Sequence, residues 1–384
     1  MKIYENISLK PYNTFGIDVR ARRMLVLEPG DDLSGEWKVE SGKWKVERGK
    51  LLVIGAGSNM VFTKDYDGTV IKLACGGYTH QSALCAASSP ESGEQLVTCS
   101  SPSIGEGDPS NARGEGYVRA WGGMIMDDLV QWTLDHGLYG LENLSAIPGT
   151  VGASAVQNVG AYGAEAKDFI ERVEAYDLLE RRSCTFSNAD CRFAYRDSYF
   201  KHHPGRYLIL RVTYRLSREF VPNLSYKALE GLPHDTAQQL REAITELRWQ
   251  KLPRPEEHGS AGSFFKNPVV DEPTYLRLKS VYPDMPDAHI SPACGEIQKS
   301  SQSSGFMDFR EAGRKYKLSA GWLIDRAGWK GRTSGRAGVW PKNALVLYNA
   351  GDCTGDEVRA LAAAIQQDVK QKFGVVLDPE AIII

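Results

Sequence analysis

The chain has 384 residues and a formal net charge of −2, and 42% of its residues are hydrophobic. This length predicts two or three domains, and the near-neutral charge gives no electrostatic reason to expect nucleic acid or a membrane surface as a partner. Seven cysteines without a CxxC pair argue against a disulfide framework and are typical of a reducing compartment. Without a signal peptide or a membrane-spanning run, we expect a cytoplasmic protein.

The first third of the chain contains two predicted strands and a glycine turn. Residues 24–27 (MLVL) form one strand, and 51–60 (LLVIGAGSNM) form a buried strand that enters the turn. The turn is not a dinucleotide fingerprint, because the third glycine is replaced by Met60 and no helix is predicted after it. Residues 61–72 are instead predicted as loop and strand, with Asp67-Gly68 as a turn. Backbone amides at 55–59 could still cradle an anion.

Two further segments of this region have an unusual composition. WKVESGK at 37–43 is followed at once by WKVERGK at 44–50, and two copies do not make a solenoid. We interpret the repeat as a duplicated surface segment without an assigned function. Residues 86–116 are rich in Ser, Pro and Gly, which predicts an inserted, mobile surface loop.

A glycine-rich stretch at 140–163, GLENLSAIPGTVGASAVQNVGAYG, follows a helix predicted over 127–136 and ended by Gly137. Glycine permits unusual backbone angles and allows a ligand to approach the main chain closely. Two interpretations stay open from spacing alone. The stretch is either a buried turn between a helix and a strand, or a wall for a large flat or phosphorylated ligand.

Strands are predicted at 171–179 and 207–216, with CRFAYRDSYFKHH between them. Arg196, flanked by two tyrosines in this segment, belongs either to a surface loop or to a substrate clamp. The pair His202-His203 has no metal-ligand spacing and the chain has no HExxH motif, so we predict no metal site.

The last part of the chain is predicted to begin with an amphipathic helix over 240–251, with Leu240, Ile244 and Leu247 on one face. The remaining predicted elements are, in chain order, a glycine-serine turn at 259–268 (GSAGSFFKNP), a polar loop at 283–305, a helix within 319–331, a strand at 343–349, a helix opened by a Thr354–Glu357 capping box and ended by Gly374, and a terminal strand, VVLDPEAIII. Glu380 in that strand is costly to bury unless it is paired or protonated.

Seven motifs together carry a family resemblance: NTFG, VIGAGSNMVF, the glycine-rich stretch, YRDSYFK, GSAGSFFKNP, SAGWLID and LDPE. In this order they resemble the UDP-N-acetylenolpyruvoylglucosamine reductases, FAD enzymes that complete UDP-N-acetylmuramate for bacterial peptidoglycan and so serve cell-wall synthesis and division. The resemblance implies an α+β protein with a vanillyl-alcohol-oxidase/PCMH-type FAD-binding fold. It implies FAD-binding subdomains at 1–72 and 73–217 and a substrate-binding domain at 218–384. LSYKAL, with Tyr226, resembles the substrate-covering loop of the family's first type.

The resemblance also implies a reaction and its catalytic residues. NADPH would pass hydride to flavin N5, and the reduced flavin would pass it to the vinyl carbon of UDP-N-acetylglucosamine enolpyruvate. Arg196 matches the arginine that holds the substrate carboxylate. Glu380 matches the acid that supports the enol-like state, and its apolar strand would supply desolvation. Ser263 matches the proton donor.

The expected binding residues follow from the same motifs. Tyr195, Tyr226, Lys251 and Asn267 are expected to bind the substrate. FAD is expected to contact Gly55, Ala56, Gly57, Ser58, Asn59, Met60, Ile147, Pro148, Gly149, Gly152, Ala153, Gln157, Asn158 and Gly160. We expect a monomer whose partners are the substrate and NADP(H). Two alternatives stay open: a flavin oxidase of the same fold that acts on an alcohol or sugar, and a non-catalytic nucleotide-sugar binding protein.

Overall fold

The computed structural model describes residues 1–31, 33, 38–39, 42–43, 50–75, 103–105, 114–255, 257–287, 289–291 and 314–384. Most of the repeat at 37–50 and of the loop predicted at 86–116 therefore lies outside the described residues. The chain divides into two compact units. The first unit comprises Met1–Thr14, Asp18–Ser58 and Lys64–Gln250, and the second comprises Phe15–Ile17, Asn59–Thr63 and Lys251–Ile384.

The described strands are, in chain order, β1 (Lys2–Ser8), β2 (Arg20–Leu27), β3 (Lys38–Val39), β4 (Gly42–Lys43), β5 (Leu51–Ile54), β6 (Met60–Val61), β7 (Tyr66–Leu73), β8 (Ser103–Gly105), β9 (Glu115–Trp121), β10 (Gly160–Ala161), β11 (Ala164–Glu165), β12 (Ile170–Asp177), β13 (Arg182–Ser187), β14 (Tyr207–Ser217), β15 (Ser260–Ser263), β16 (Val269–Asp271), β17 (His289–Ser291), β18 (Lys315–Lys317), β19 (Thr333–Ser334), β20 (Ala337–Val339), β21 (Val346–Asn349) and β22 (Ile382–Ile383). The described α-helices are α1 (Met126–Asp135), α2 (Val151–Gln157), α3 (Ala237–Lys251), α4 (Glu272–Val281), α5 (Ala320–Arg326) and α6 (Gly355–Phe373). Among the described residues, no helix has both the length and the apolar character needed to cross a bilayer.

The first sheet of the first unit has the strand order β1-β2-β7-β5, with β2 and β5 parallel to β7. The turn predicted at Asp67-Gly68 was wrong, because both residues lie inside β7. Gly68 serves another purpose there. A Cβ on it would lie 2.5 Å from the carbonyl oxygen of Lys50, so glycine allows the strand to pass close to the neighbouring chain.

The second sheet of this unit is antiparallel, with the order β13-β12-β14-β9-β8. The strands predicted at 171–179 and 207–216 are confirmed as β12 and β14, whereas β8 lies in the segment predicted to be a loop. Helices α1 and α2 cover a core of buried apolar side chains that includes Val118, Leu129, Val151, Val173 and Tyr214. Helix α2, inside the glycine-rich stretch, was not predicted.

The second unit has a sheet of order β15-β21-β20-β19, a sheet of order β16-β18-β17, and the parallel pair β22-β6. Helix α6 confirms the capping-box prediction, since Thr354 and Glu357 satisfy each other's backbone amides and Gly374 ends the helix in the left-handed region. The mixture of helices, parallel pairs and antiparallel sheets in the two units gives the expected α+β class.

Two predictions for the second unit need correction. The segment around Ser263 is a strand rather than a glycine-serine turn, because β15 pairs with β21 through a bulge at Gly262, which has φ +68°. The terminal strand is only Ile382–Ile383, so Glu380 lies in a bend before it and is half-buried. The desolvation expected from an apolar strand around Glu380 is therefore smaller than the sequence indicated.

Candidate functional site

The glycine turn after β5 is confirmed as a turn without a following helix. Gly57 has φ +68°, and a Cβ on it would lie 2.0 Å from the carbonyl oxygen of Tyr12. A Cβ on Gly55 would lie 2.7 Å from Oγ1 of Thr150. Both glycines are therefore required by close contacts within the protein itself, and they bring this turn against the start of α2.

A backbone-lined surface results from this contact. The Ser58 hydroxyl donates to the carbonyl of Pro148 at 2.9 Å, so the turn is joined to the loop that leads into α2. Gly149 there has φ +146°, and within 4 Å a Cβ on it would meet only Oγ of Ser58, at 3.5 Å. Ala56 and Ile147 add no charge. The Lys72 ammonium donates to the carbonyl of Gly55 at 2.6 Å, so one cation lies against the turn. Main-chain amides beside a cation suit the diphosphate of a flavin cofactor, which accepts hydrogen bonds.

The C-terminal end of α2 is fixed by Asn158. This residue is fully buried and adopts the left-handed conformation with φ +46°. Its side-chain NH₂ group donates to the carbonyl of Ala194 at 2.8 Å and to the Glu165 carboxylate at 3.1 Å, and its side-chain carbonyl accepts from the main-chain amide of Lys167 at 3.0 Å. Asn158 thus links the glycine-rich stretch to the YRDS segment rather than projecting towards solvent.

Arg196 contacts the same end of the stretch. Its guanidinium donates to the carbonyls of Gly160 and Asn158, the latter at 3.4 Å. A Cβ on Gly160 would lie 3.0 Å from this guanidinium, so glycine makes room for it. Arg196 is half-buried and has φ +55°, which is uncommon for a residue with a side chain. The contacts show that Arg196 is part of a structured network, not of a loose surface loop.

Three further bonds hold the segment around Arg196 in place. The Ser198 hydroxyl donates to the carbonyl of Val156 at 2.6 Å. The Lys201 ammonium donates to the side-chain carbonyl of Gln157 at 2.7 Å and to the main-chain carbonyl of Arg196 at 2.9 Å. Gln157 of the predicted flavin wall and Arg196 are therefore joined through one lysine.

The predicted substrate-binding tyrosines of the first unit are both exposed. Tyr195 is 37% exposed, with the Arg196 guanidinium carbon 5.4 Å from the centroid of its ring. Tyr226 is 45% exposed, and its ring packs edge-on against Tyr162 with the centroids 5.4 Å apart.

Arg248 is a cation that was not predicted from the sequence. It donates to the carbonyl of Ala146 at 3.2 Å, and the Tyr162 hydroxyl lies close to its guanidinium. Burial lowers the pKa of the Arg248 guanidinium, and the nearby positive charge of Arg196 lowers it further. The signal was present in the helix pattern, because Arg248 stands four residues after buried Ile244, where the apolar face of α3 would continue.

Ser263 and Glu380 lie on adjacent segments of the second unit. The amide of Glu380 donates to the carbonyl of Phe264 at 2.8 Å, and the amide of Lys266 donates to the carbonyl of Asp378 at 2.9 Å. The residue after Ser263 is therefore paired directly with Glu380. Asn59 adds a bond from its side-chain amide to the carbonyl of Glu380 at 3.3 Å.

The remaining predicted residues of the second unit differ in their surroundings. The side-chain carbonyl of Asn267 accepts from the amide of Ala320 at 3.0 Å, so Asn267 supports the start of α5. Met60 is buried and begins β6. Lys251, the last residue of α3, is exposed.

Comparisons with known proteins identify the family of this chain. The domain family described as "UDP-N-acetylenolpyruvoylglucosamine reductase, C-terminal domain" matches residues 254–384, and a family described as "FAD binding domain" matches residues 108–179. UDP-N-acetylenolpyruvoylglucosamine reductase of Pseudomonas aeruginosa is 40% identical over 99% of this chain and 98% of its own length. The enzyme of that name from Azoarcus sp. is 38% identical over 100% of this chain and 98% of its own length.

A solved structure shares the fold. The UDP-N-acetylenolpyruvylglucosamine reductase of Thermus caldophilus superposes with a TM-score of 0.60 at 20% identity, over 100% of this chain and 98% of its own. With the FAD binding domain, this similarity supports the expected FAD-binding fold and an FAD cofactor. The chain therefore belongs to the UDP-N-acetylenolpyruvoylglucosamine reductase family of FAD-dependent oxidoreductases.

Proposed function

We propose that this protein reduces UDP-N-acetylglucosamine enolpyruvate to UDP-N-acetylmuramate with NADPH as the hydride donor. Family membership supports this choice of substrate. The main-chain pairing of the Ser263 segment with Glu380 is the main structural support for the proposed catalytic residues. Bound FAD supplies the hydride-transfer chemistry between NADPH and the substrate. The protein's own residues must then hold the substrate, stabilise developing charge and deliver one proton.

Ser263 is the proposed proton donor. Its hydroxyl would protonate the substrate carbon that becomes carbanionic when the neighbouring vinyl carbon receives hydride. Serine is a weak acid in water, but a developing carbanion is a strong base, so the transfer is downhill. The bulge at Gly262 supports this role, because bulges are common beside active sites, where they redirect a side chain.

Glu380 and Arg196 are proposed to stabilise charge on the substrate carboxylate. The Glu380 carboxyl group would hydrogen-bond to the enol-like state, and main-chain bonds on both sides of this residue support a fixed position. Arg196 would pair with the carboxylate as a cation that cannot lose its proton.

The substrate is proposed to bind Tyr195, Tyr226, Lys251 and Asn267. The last three would hold its diphosphate and sugar, and Arg248 is added to this set as a further cation. The glycine turn and Ile147–Gly160 are proposed as the FAD contacts, with main-chain amides as donors. We also propose the cytoplasm as the place of action and a monomeric enzyme. Described cysteines such as Cys184, Cys191 and Cys353 are free thiols, which is consistent with a reducing compartment.

The test separates the two half-reactions by anaerobic stopped-flow absorbance. Wild-type protein should be bleached by NADPH and reoxidised by the enolpyruvyl substrate. The variants Ser263→Ala and Glu380→Gln should bleach at the wild-type rate but reoxidise about 10²- to 10⁴-fold more slowly, because only the second step needs their proton or hydrogen bond. Ser260→Ala, at the other end of β15, is the matched control and should reoxidise normally.

Several results would contradict the proposal. Equal slowing of both steps in Ser263→Ala would remove this residue as the proton donor. Rapid reoxidation of wild-type protein by dioxygen, without a response to the enolpyruvyl substrate, would identify a flavin oxidase. If NADPH did not bleach the flavin, the protein would instead be a non-catalytic nucleotide-sugar binding protein.

A further inference from the structure

A buried asparagine outside the proposed catalytic set connects two loops of the first unit. Asn143 is 1% exposed and lies in the 3₁₀ turn Glu142–Leu144. Its side-chain amide donates to the carbonyl of Tyr162 at 2.7 Å and to the carbonyl of Asn223 at 2.9 Å. Both amide hydrogens are therefore used, one for each of the two facing carbonyls.

Asn223 makes a second connection between the same loops. Its side-chain carbonyl accepts from the amide of Ser225 at 3.1 Å and from the Ser225 hydroxyl at 2.7 Å. Its side-chain NH₂ group donates to the carbonyl of Gly163 at 3.3 Å. Gly163 has φ +85°, and a Cβ on it would lie 2.2 Å from Oγ of Ser225, so the loops are in direct contact. We call the side chains of Asn143 and Asn223 the asparagine clasp.

The two loops joined by the clasp carry the neighbouring rings of Tyr162 and Tyr226. One loop carries Tyr162, whose main chain has φ +49°, and the other leads directly into Tyr226. The two rings meet edge-on with an interplanar angle of 86°. After Tyr226, the chain enters the 3₁₀ turn Lys227–Leu229, in which Leu229 is fully buried. Tyr226 is thus an exposed ring on a segment fixed by the clasp on one side and by Leu229 on the other.

We propose that the asparagine clasp positions Tyr226 for the nucleotide diphosphate of the substrate, and that Asn143 and Asn223 are positioning residues for substrate binding. This inference rests on the proposed function of Tyr226. A buried polar side chain is costly unless its hydrogen bonds are made, and an apolar residue at position 143 would leave the carbonyls of Tyr162 and Asn223 without this donor. Asn143 also fixes the geometry of the two loops, because its amide holds the carbonyls of Tyr162 and Asn223, which are 61 residues apart in the chain, at a fixed separation.

The experiment measures binding and turnover in the complete, FAD-loaded enzyme. Asn223→Ala should raise the KM for the enolpyruvyl substrate about 10-fold, as expected for lost hydrogen bonds, and leave NADPH-driven bleaching unchanged. Asn143→Asp should have a larger effect, since a carboxylate would face two carbonyls. Asn188→Ala is the matched control, because the Asn188 amide also donates to two main-chain carbonyls, those of Lys167 and Ile170. It should leave the KM unchanged.

A double-mutant cycle distinguishes positioning from general stability. In the Tyr226→Ala background, Asn223→Ala should raise the KM by less than 2-fold, because the ring that it positions is gone. Two results would overturn the inference while leaving the proposed function intact. One is that Asn223→Ala raises the KM by the same factor with and without Tyr226, and the other is that it slows NADPH-driven bleaching as much as it raises the KM. Circular dichroism melts would show whether each variant folds. If Asn143→Asp does not fold, Asn223→Ala still tests the inference, because it replaces a half-buried loop side chain.

Binding of UDP separates the inference from the proposed function. UDP carries the diphosphate but no reacting group, and calorimetry measures its affinity without turnover. UDP binding that Asn223→Ala weakens about 10-fold would support the clasp even if the enolpyruvyl substrate were not reduced. UDP affinity that is the same in wild type, Asn223→Ala and Tyr226→Ala would overturn it.

Discussion

The two units support their proposed functional side chains in different ways. In the first unit, Arg196 is held by side-chain bonds: its own guanidinium, the Asn158 amide and the Lys201 ammonium all bond to main-chain carbonyls of neighbouring segments. In the second unit, the segments that carry Ser263 and Glu380 are joined mainly by main-chain bonds. Replacing a side chain should therefore disturb structure and chemistry together in the first unit, and chemistry alone in the second.

Arg196→Met should have the largest effect and gives the sharpest test of this comparison. The change removes a cation proposed to bind the substrate carboxylate and also the donors to Asn158 and Gly160. We expect kcat/KM for the enolpyruvyl substrate to fall about 10³-fold, with weaker FAD retention and a lower melting temperature. Steady-state kinetics, flavin absorbance after gel filtration and thermal melts measure the three quantities.

Arg192→Met is the control for Arg196→Met. Arg192 lies in the same segment and also has a positive φ, +46°, but it is exposed. Its replacement should leave both kinetics and FAD retention near the wild-type values. Arg196→Met could instead reduce turnover without loss of FAD or stability, which is the result expected of Ser263→Ala. That outcome would refute the proposed difference in how the two units support their functional side chains.

Two glycines with the same backbone angle give the next prediction. Gly57 and Gly262 both have φ +68°, but a Cβ would meet the Tyr12 carbonyl oxygen at 2.0 Å from Gly57 and nothing within 4 Å from Gly262. Gly262→Ala should cost about 1 kcal/mol of unfolding free energy from the left-handed conformation alone. Gly57→Ala should cost several-fold more, because main chain cannot move aside as a flexible side chain can. Chemical denaturation measures both, and equal losses would contradict the prediction.

The sequence predicted elements whose signals are local. The capping box at Thr354, the helix stop at Gly137 and the strands β12 and β14 follow from periodicity and from residue types next to one another. Helix α2 was missed because Gly152 and β-branched residues lower its helix propensity, while tertiary packing on β14 stabilises it.

Features that depend on distant partners could not be read from the sequence. The strand around Ser263 resembled a turn because Gly262 forms a bulge, and the bulge is defined only by its partner strand. The segment that contains Glu380 was predicted as a strand because its neighbours are apolar. Only Ile382–Ile383 forms a strand, and the residues before it make single main-chain hydrogen bonds rather than a continuous ladder. Asn143 and Arg248 gave weak signals because their bonding partners lie 19 and 102 residues away in the chain.

The smallest expected effects come from two helix starts with opposite electrostatics. Burial and the neighbouring charge of Asp127 raise the pKa of Asp128, in the first turn of α1, to about 6. Backbone hydrogen bonds at the start of α6 and the Arg336 guanidinium lower the pKa of Glu357 to about 2. A raised carboxyl pKa means that ionised Asp128 destabilises the folded state above pH 6, and that this penalty disappears as the pH falls towards 3.8. Ionised Glu357 stabilises the folded state above its ordinary value of 4.5, and that contribution is lost as the pH falls towards 2.

Substitutions at the two positions should therefore shift stability in opposite directions. Asp128→Asn should stabilise the protein by about 1 kcal/mol at pH 8, after allowance for solvent screening, and the gain should shrink between pH 6 and pH 4.5. Glu357→Gln should lower the melting temperature by a similar amount at pH 8 and pH 6 and by less at pH 4.5, because the unfolded state then begins to bind a proton at Glu357 while the folded state does not. Thermal melts at pH 8, 6 and 4.5 measure both. A gain for Asp128→Asn that did not change with pH would mean that the effect comes from packing rather than charge.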